Sequence, residues 1–462
     1  MASLPASYQD RTVCVIGLGY VGLTLAATMA EVGFTVLGVE KRRDIVEAIR
    51  ENRPHFHEPG MREILERALN SGSLEVSTEI PKDCAVDVFI ITVGTPLSAD
   101  GHVRLDMVTS AAHEVSARLR EGALVVLRST VRLGVTRNLA APILNATGKQ
   151  FDLAFCPERT VEGQALAELR WLPQIVGGYD HDSAVRAAQL FQFITPTVIK
   201  VSTLEVAETI KLIDNVQRDV MFGFSNEVAR ICDASGVNAG EVIQAGKLGY
   251  PRTNLFMPGP VGGPCLSKDP YILIEGLRPF GIVPEIAHAA RKGNERQLLE
   301  AADYVAGILQ ESRAPAKPTI AFLGIAFKGR PETDDLRGTT AAPILERLKH
   351  VFPGARFRGY DPVVSESDIQ AFGLEPCDSL ESAFSGSHAV LILNNHPRLS
   401  SMPITRLARV MANPGFIYDL WNNFAAKELS LPPGIGYAAL GCHVDAVLPK
   451  ASAATKAAAR LS

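Results

Sequence analysis

The chain has 462 residues, 47% of them hydrophobic and 21% charged, with a formal net charge of −4. That composition belongs to a globular protein too long for one core, and about 150 residues per domain predicts roughly three units. The charge balance excludes a basic nucleic-acid footprint, and no polybasic run marks an anionic membrane surface.

The opening residues, MASLPASYQD, lack a basic region followed by an apolar run, so no secretory signal is expected. No uncharged apolar stretch reaches ~18 residues, so no membrane span is expected either. The next segment alternates short apolar runs with helical stretches. TVCVIGL from Thr12, TVLGVE from Thr35, DVFIITVG from Asp87, ALVVLRST from Ala123 and DLAFCPE from Asp152 read as buried parallel strands. Leu23 to Val32 and Leu105 to Arg120 carry helical periodicity between them. This rhythm predicts an α/β domain with a doubly wound, Rossmann-like sheet.

From Thr203 the pattern changes to one long helix of roughly 30 residues, or about 45 Å, followed by a second helical stretch from Pro284 to Ser312. After the linker RAPAKP the α/β rhythm returns in TIAFLGIAF, FRGYDPV, AVLILNN and FIYDLWN. The expected organisation is therefore two Rossmann-like domains, 1–202 and 314–450, joined by a central helical domain, 203–313. The Ala-rich tail, 451–462, is expected to fray.

The seven cysteines are odd in number, scattered and without a CxxC, so neither disulfides nor a zinc site is expected. His55 and His57 form a lone HxH without further ligands nearby, which is loop polarity and not a metal site. A reducing cytoplasm suits this inventory.

In VIGLGYVGLTLA, Gly17, Gly19 and Gly22 form GxGxxG between a strand and a helix. The first glycine allows the tight turn, the second the approach of a pyrophosphate, and the third close packing of helix on strand. The helix amino terminus then faces the phosphates. Glu40 ends the second strand about twenty residues on, where a carboxylate binds a ribose 2′-hydroxyl and repels a 2′-phosphate, so NAD is expected. Arg42 and Arg43 soften that preference. Thr95 in VGTP and Ser129 and Thr130 in RSTV stand at carboxyl ends of predicted strands, where ligands gather in such sheets; a helix cap is the other reading of such hydroxyls.

GPVGGPCLSKDP, from Gly259, presents Cys265 behind a glycine-rich approach. A thiolate beside NAD can attack an aldehyde to give a thiohemiacetal, whose oxidation yields a hydrolysable thioester. Lys268 or Lys211 would help ionise it. The competing reading is a small buried thiol in a turn. Lys211 and Asn215 lie four apart on one helix face and could hold a developing oxyanion, or could be a solvated lysine and a polar neighbour. Glu158 and Glu162 in CPERTVEG are again four apart; one could activate water, or both could be surface carboxylates.

Together GLGYVGL, VGTP, Ser129–Thr130, CPER, AExxKxxxN from Ala207 to Asn215, GGxC from Gly262 to Cys265 and GIAFKGRPETDDLR resemble the nucleotide-sugar 6-dehydrogenases, from Thr12 to about Trp421. The resemblance implies a four-electron oxidation of a sugar C6 alcohol to a carboxylate with two NAD⁺ reduced. It implies Cys265 as nucleophile, Lys211 as proton donor or acceptor with Asn215 beside it, Asp269 assisting proton transfer through water, and Glu158 as a candidate base. Tyr20, Val21, Arg42, Thr95, Thr130 and Lys268 join the glycines and Glu40 on the cofactor side. Lys328 and Arg337 would hold the nucleotide diphosphate of a UDP-sugar. Arg252 matches a substrate arginine often supplied by a neighbouring subunit, and a homodimer through the long helix is implied.

Two signals bear on the sugar. Arg159 and Thr160 in CPERT, Arg218 in KLIDNVQRDV, and PRTNLFMPGPVGG from Pro251 through Gly262 to Gly263 look like enzymes that oxidise UDP-N-acetylmannosamine. Pro264 and Lys268 depart from that group, and Lys268 is similar to the UDP-glucose type. The longer matching segments favour a UDP-N-acetylhexosamine, with UDP-glucose as the alternative. A two-electron 3-hydroxyacid dehydrogenase would share the dinucleotide domain and long helix but would need neither Cys265 nor the last α/β segment.

Overall fold

The protein is described here from a computed structural model covering residues 4–5, 7–98 and 100–449; the tail 451–462 lies outside the described residues. The chain forms two compact units. One takes the residues up to Asn215 together with Lys268–Pro284, and the other takes Val216–Ser267 together with the residues from Glu285 onward. The stretch 203–313, read as one central domain, is thus shared between them.

The first unit is built on eight strands: β1 (Thr12–Ile16), β2 (Thr35–Val39), β3 (Leu74–Ser77), β4 (Val88–Ile91), β5 (Ala123–Leu127), β6 (Phe151–Phe155), β7 (Gln174–Gly178) and β8 (Val198–Val201). Their order is β3-β2-β1-β4-β5-β6-β7-β8, parallel throughout except between β6 and β7. The order reverses between β1 and β4, the switch point at which such sheets bind ligands. Each central strand is apolar on both sides because both sides are covered. Val13 and Val15 enter one core with Leu23 and Met29 of the first helix, while Cys14 and Ile16 enter the other with Phe89, Ile91 and Val108. Each such fully buried side chain contributes about 1.5–3 kcal/mol.

The second unit has six parallel strands, β9 (Thr319–Leu323), β10 (Arg356–Tyr360), β11 (Glu375–Pro376), β12 (Ala389–Ile392), β13 (Gly415–Asp419) and β14 (Ile435–Ala439), in the order β11-β10-β9-β12-β13-β14. Ile320 and Phe322 pack with Leu298, Ala302 and Val305 of the helix Glu285–Glu311, and Ala321 and Leu323 pack with Val390, Ile392 and Tyr437. Both sheets are thus the expected Rossmann-like layers.

The long helix runs from Leu204 to Ser235, 32 residues. Among the described residues no helix is long and apolar enough to cross a membrane. The predicted strands end earlier than the apolar segments suggested: β1 stops at Ile16, β4 at Ile91, β5 at Leu127 and β6 at Phe155. The residues that follow each stop form loops at the carboxyl ends of the strands. Sequence periodicity passed over β3, β7, β8, β11 and β14. β7 ends in two glycines, β11 is two residues long, and VIKV of β8 has two exposed positions out of four.

Candidate functional site

Gly17 leaves β1 with φ +91, and its N–H donates to the Val39 carbonyl at 2.8 Å. A Cβ on Gly22 would stand 1.9 Å from the Gly17 carbonyl oxygen, so no other residue fits there without opening the turn. Around the Cβ position of Gly19 nothing lies within 4 Å, which leaves that side open to an approaching phosphate. Glu40 follows β2 directly. Its carboxylate accepts from the Leu18 N–H at 3.0 Å and from the Arg42 N–H at 3.0 Å, so the acidic group is fixed beside the turn. Thr95 Oγ1 donates to the Thr130 carbonyl at 2.6 Å, tying the ends of β4 and β5 together. The turn, its open face and the adjacent carboxylate fit NAD.

Tyr20 and Arg42, expected on the cofactor side, also make side-chain contacts within the protein. The Tyr20 hydroxyl donates to Glu58, and the Gly163 N–H donates to both the hydroxyl and the Glu58 carboxylate, each at 2.8 Å. Tyr20 is therefore a strut between the first helix and the loop after β6. Arg42 pairs with Asp44 on the surface, and Val21 is half-buried on the first turn of the helix.

A second group in the same unit is polar and buried. Glu158 accepts from the N–H groups of Arg159 and Thr160, each at 2.7 Å, and from Arg128 Nη2 at 2.5 Å. Burial alone would push its carboxyl up, but the Arg128 guanidinium, the Thr160 N–H and Lys211 hold it below the usual range. Arg128 also donates to the Cys156 carbonyl and to Gln174 Oε1. Lys211 and Asn215 are both 8% exposed, so neither is a solvated surface residue. Asn215 Nδ2 donates to Asp269 Oδ2 at 2.5 Å, and Lys268 Nζ donates to Asp269 Oδ1 at 2.9 Å. Asp269, fully buried, thus sets the orientation of the Asn215 amide and engages the Lys268 charge, which sequence reading had offered to the cysteine. Arg159 donates to the Pro173 carbonyl at 2.6 Å and pairs with Asp214 at 3.4 Å.

In the second unit Cys265 lies on the single helical turn Gly263–Leu266, where a tight loop was expected. It is exposed, whereas Cys14, Cys156, Cys232, Cys377 and Cys442 are buried and Cys84 is half-buried. The turn meets the segment after β9: the Gly263 N–H donates to the Gly338 carbonyl at 2.8 Å, and a Cβ on Gly262 would come within 2.4 Å of the same oxygen. That segment also carries Lys328, whose ammonium sits 5.4 Å from the Phe327 ring centroid, and Arg337, which chelates Asp335 through Nε and Nη2. Arg252 stacks on Tyr250 at 4.9 Å, and Arg218 is exposed on the long helix.

Sequence reasoning missed Arg128, Glu58 and Gln174 in the first unit, and the buried pair Asp219–Arg291 in the second. Arg128 left a signal, because a guanidinium at the end of the apolar run ALVVL needs a buried acceptor.

Comparison with known proteins agrees with this geometry. Residues 11–195, 205–296 and 321–426 match, in turn, the NAD binding, central and UDP binding domains of the UDP-glucose/GDP-mannose dehydrogenase family. The UDP-N-acetyl-D-mannosamine dehydrogenase of Pyrococcus horikoshii is 33% identical over 397 residues, covering 84% of this chain and 90% of the relative. A solved structure of the UDP-D-ManNAc dehydrogenase from the same organism superimposes with a TM-score of 0.82 at 31% identity, over 93% of this chain and 99% of that one. A UDP-glucose dehydrogenase from Pyrobaculum islandicum also gives 0.82, at 27% identity, over 96% of this chain and all of its own (100%).

Proposed function

The chain belongs to the UDP-glucose/GDP-mannose dehydrogenase family, and from that premise we propose that it oxidises the C6 alcohol of UDP-N-acetyl-D-mannosamine to the uronic acid. It is an NAD-dependent oxidoreductase of nucleotide sugars. The observation that carries the covalent reading is that, of seven cysteines, all of them described residues, Cys265 alone is exposed. A packing thiol is normally buried.

Bound NAD⁺ supplies the chemistry of hydride acceptance in each of two oxidations. Lys211 serves as proton donor or acceptor at the C6 oxygen, and its ammonium form, the one that helps hold the Glu158 carboxyl low, attracts the oxygen that carries negative charge. Asn215, held by Asp269, donates its amide hydrogen toward the same developing oxyanion. Cys265 Sγ bonds to the aldehyde carbon to give a thiohemiacetal, and its second oxidation leaves a thioester. Water then adds at that carbon, the C–S bond breaks, and the sugar acid departs with the thiol restored. Glu158, with both oxygens engaged and its carboxyl held low, is a weak proton acceptor. Its role in this scheme is to hold the 158–160 turn, with Arg159 and Thr160 facing substrate. Lys328 and Arg337 bind the diphosphate, for which paired cations are suited.

A homodimer through the long helix is part of this proposal. Val206, Ile213, Phe224 and Ile231 are all exposed and spaced seven, eleven and seven apart, which keeps them on one helical face. Phe224→Asp together with Ile231→Asp is expected to halve the mass seen by light scattering. The free thiols suit a reducing cytoplasm.

The test is NADH formed per sugar consumed, across UDP-glucose and the N-acetyl-manno-, -gluco- and -galactosamine sugars. Two NADH per sugar, with the manno epimer preferred, is expected. Preference for UDP-glucose would overturn the substrate assignment, and one NADH per turnover would overturn the thioester route. Cys265→Ser is expected to make almost no acid while NAD⁺ affinity is retained; acid formation at the full rate would remove Cys265 from the mechanism.

A further inference from the structure

The turn that carries Cys265 has little apolar anchorage. Across 261–267 only Val261 and Gly263 are buried, and the other five residues are exposed or half-exposed. Hydrophobic burial therefore fixes its start and one glycine, and does not fix the cysteine.

Polar ties replace it. Arg291, on the helix Glu285–Glu311, is 1% exposed and donates through Nη1 to the Leu266 carbonyl at 2.9 Å. The same nitrogen donates to Asp219 Oδ1 at 2.7 Å, and Nη2 reaches the Val261 carbonyl at 3.4 Å. One guanidinium thus spans both ends of the segment that contains Cys265. Asp219, on the long helix and fully buried, is held in turn by Asn294 Nδ2, which donates to its carbonyl at 3.0 Å and to Oδ1 at 2.9 Å. Asn226 Nδ2 donates to Asn294 Oδ1 at 2.9 Å and to the Gly259 carbonyl at 3.1 Å, and Asn226 Oδ1 accepts the Gly259 N–H at 3.0 Å. The network belongs wholly to the second unit.

We propose that Arg291, paired with Asp219, is the positioning residue that sets the Cys265 turn in the geometry needed for attack on the aldehyde. The inference rests on Cys265 being the nucleophile. A planar fork carries five donors on three nitrogens and reaches a carboxylate and two carbonyls from separate points, whereas the three donors of a lysine ammonium all leave one nitrogen. Buried ion pairs are often replaceable by apolar groups without loss of stability. What a guanidinium adds here is directional fixing of two carbonyls in a segment whose burial is confined to Val261 and Gly263.

The variants are Arg291→Lys and Asp219→Asn, with Cys265→Ser as the reference, each assayed as the full chain. Four quantities are read: kcat, KM for the UDP-sugar, the rate of Cys265 alkylation by iodoacetamide followed by peptide mass mapping, and the far-UV circular dichroism. In Arg291→Lys, kcat is expected to fall about a hundredfold, as for a reacting group displaced by about 1 Å. KM should stay within about threefold, because the nucleotide contacts are untouched. Alkylation should also stay within about threefold, since the thiol remains exposed. A merely structural role would lower kcat, alkylation and folded content together, and that result would overturn the proposal. So would a folded Arg291→Lys enzyme with kcat within threefold of wild type. If Arg291→Lys does not fold, Asp219→Asn decides: a folded protein with about tenfold lower kcat and normal alkylation supports the proposal. Unchanged kcat, or failure to fold here too, overturns it. An active Cys265→Ser enzyme would instead defeat the nucleophile assignment, and an inactive one beside a fully active Arg291→Lys defeats the positioning role alone.

Discussion

Gly263→Ala is the sharpest single perturbation of the turn that carries Cys265, the proposed nucleophile. Gly263 has φ +93, and a Cβ there would lie 2.4 and 2.6 Å from two carbons of the Phe327 ring. The backbone cost of a side chain in that region is about 1–3 kcal/mol. Displacing a packed ring adds about 1–3 kcal/mol. The sum, roughly 2–6 kcal/mol, lowers the melting point of a unit of this size by about 4–24 °C at 2–4 °C per kcal/mol. The Gly263 N–H is also the donor to the Gly338 carbonyl at 2.8 Å, so relief of the clash moves the turn away from the segment bearing Lys328 and Arg337. A shift of about 1 Å at the nucleophile costs about a hundredfold in kcat. Scanning calorimetry and initial NADH rates measure both. Gly307→Ala is the control: it lies within the helix Glu285–Glu311, nothing stands within 4 Å of its Cβ position, and it should stabilise by about 0.5–1 kcal/mol with normal turnover. A Gly263→Ala enzyme that melts within 1 °C of wild type, by ordinary calorimetric resolution, and turns over at full rate would refute the reasoning.

Two further predictions concern buried charge. Arg128→Met leaves Glu158 without its guanidinium and should destabilise the first unit by about 3–5 kcal/mol near pH 8. Because the native Glu158 carboxyl is held low, its contribution is present above the usual carboxylate range and fades only as pH falls below it; in Arg128→Met the deficit should shrink toward pH 5 as Glu158 takes up a proton. Urea melts at the two pH values check this, and an equal deficit at both would count against it. His443 is pushed down to about 4 by burial, stacked on Tyr304 at 3.9 Å and 3.1 Å from the Tyr418 hydroxyl. A depressed histidine stabilises the folded state above the unfolded value of about 6.5 and loses that contribution as pH falls toward 4, at most about 3 kcal/mol. Asp233, 3.4 Å from Nδ1, favours the imidazolium and makes that figure an upper one. His443→Phe should flatten the stability profile between pH 7 and 5, and an unchanged slope would exclude His443 as its source.

What could be read from the sequence was set by distance along the chain. The glycine turn and Glu40 were legible because a strand, a turn and a helix lie within thirty residues and each local choice agrees with the others. The long helix was legible because apolar periodicity runs unbroken from Leu204 to Ser235. The side-chain contacts of Tyr20 left no local signal because its partners, Glu58 and Gly163, stand 38 and 143 residues away. Lys268 was expected to serve Cys265, its near neighbour in sequence, yet its ammonium is on Asp269. The Asp219–Arg291 pair, 72 residues apart, leaves no local pattern at all.

The long-range contacts that left no local pattern share a physical cause that bears on how the enzyme is built. Arg128–Glu158 and Asp219–Arg291 are both buried ion pairs, and each guanidinium also donates to main-chain carbonyls, Cys156 in one case and Val261 and Leu266 in the other. An apolar replacement of similar volume would satisfy the cores equally well, so stability alone does not explain them. Each pair instead fixes a loop that follows or precedes the regular elements: the 156–160 turn after β6, and the turn that presents Cys265. Loops that bear functional groups cannot be buried enough to be held by packing, and directional donors to their carbonyls are the remaining way to limit their motion. On this argument the sheets of both units decide where the loops begin, and the two buried arginines limit how far the loops that carry the proposed reacting groups can move.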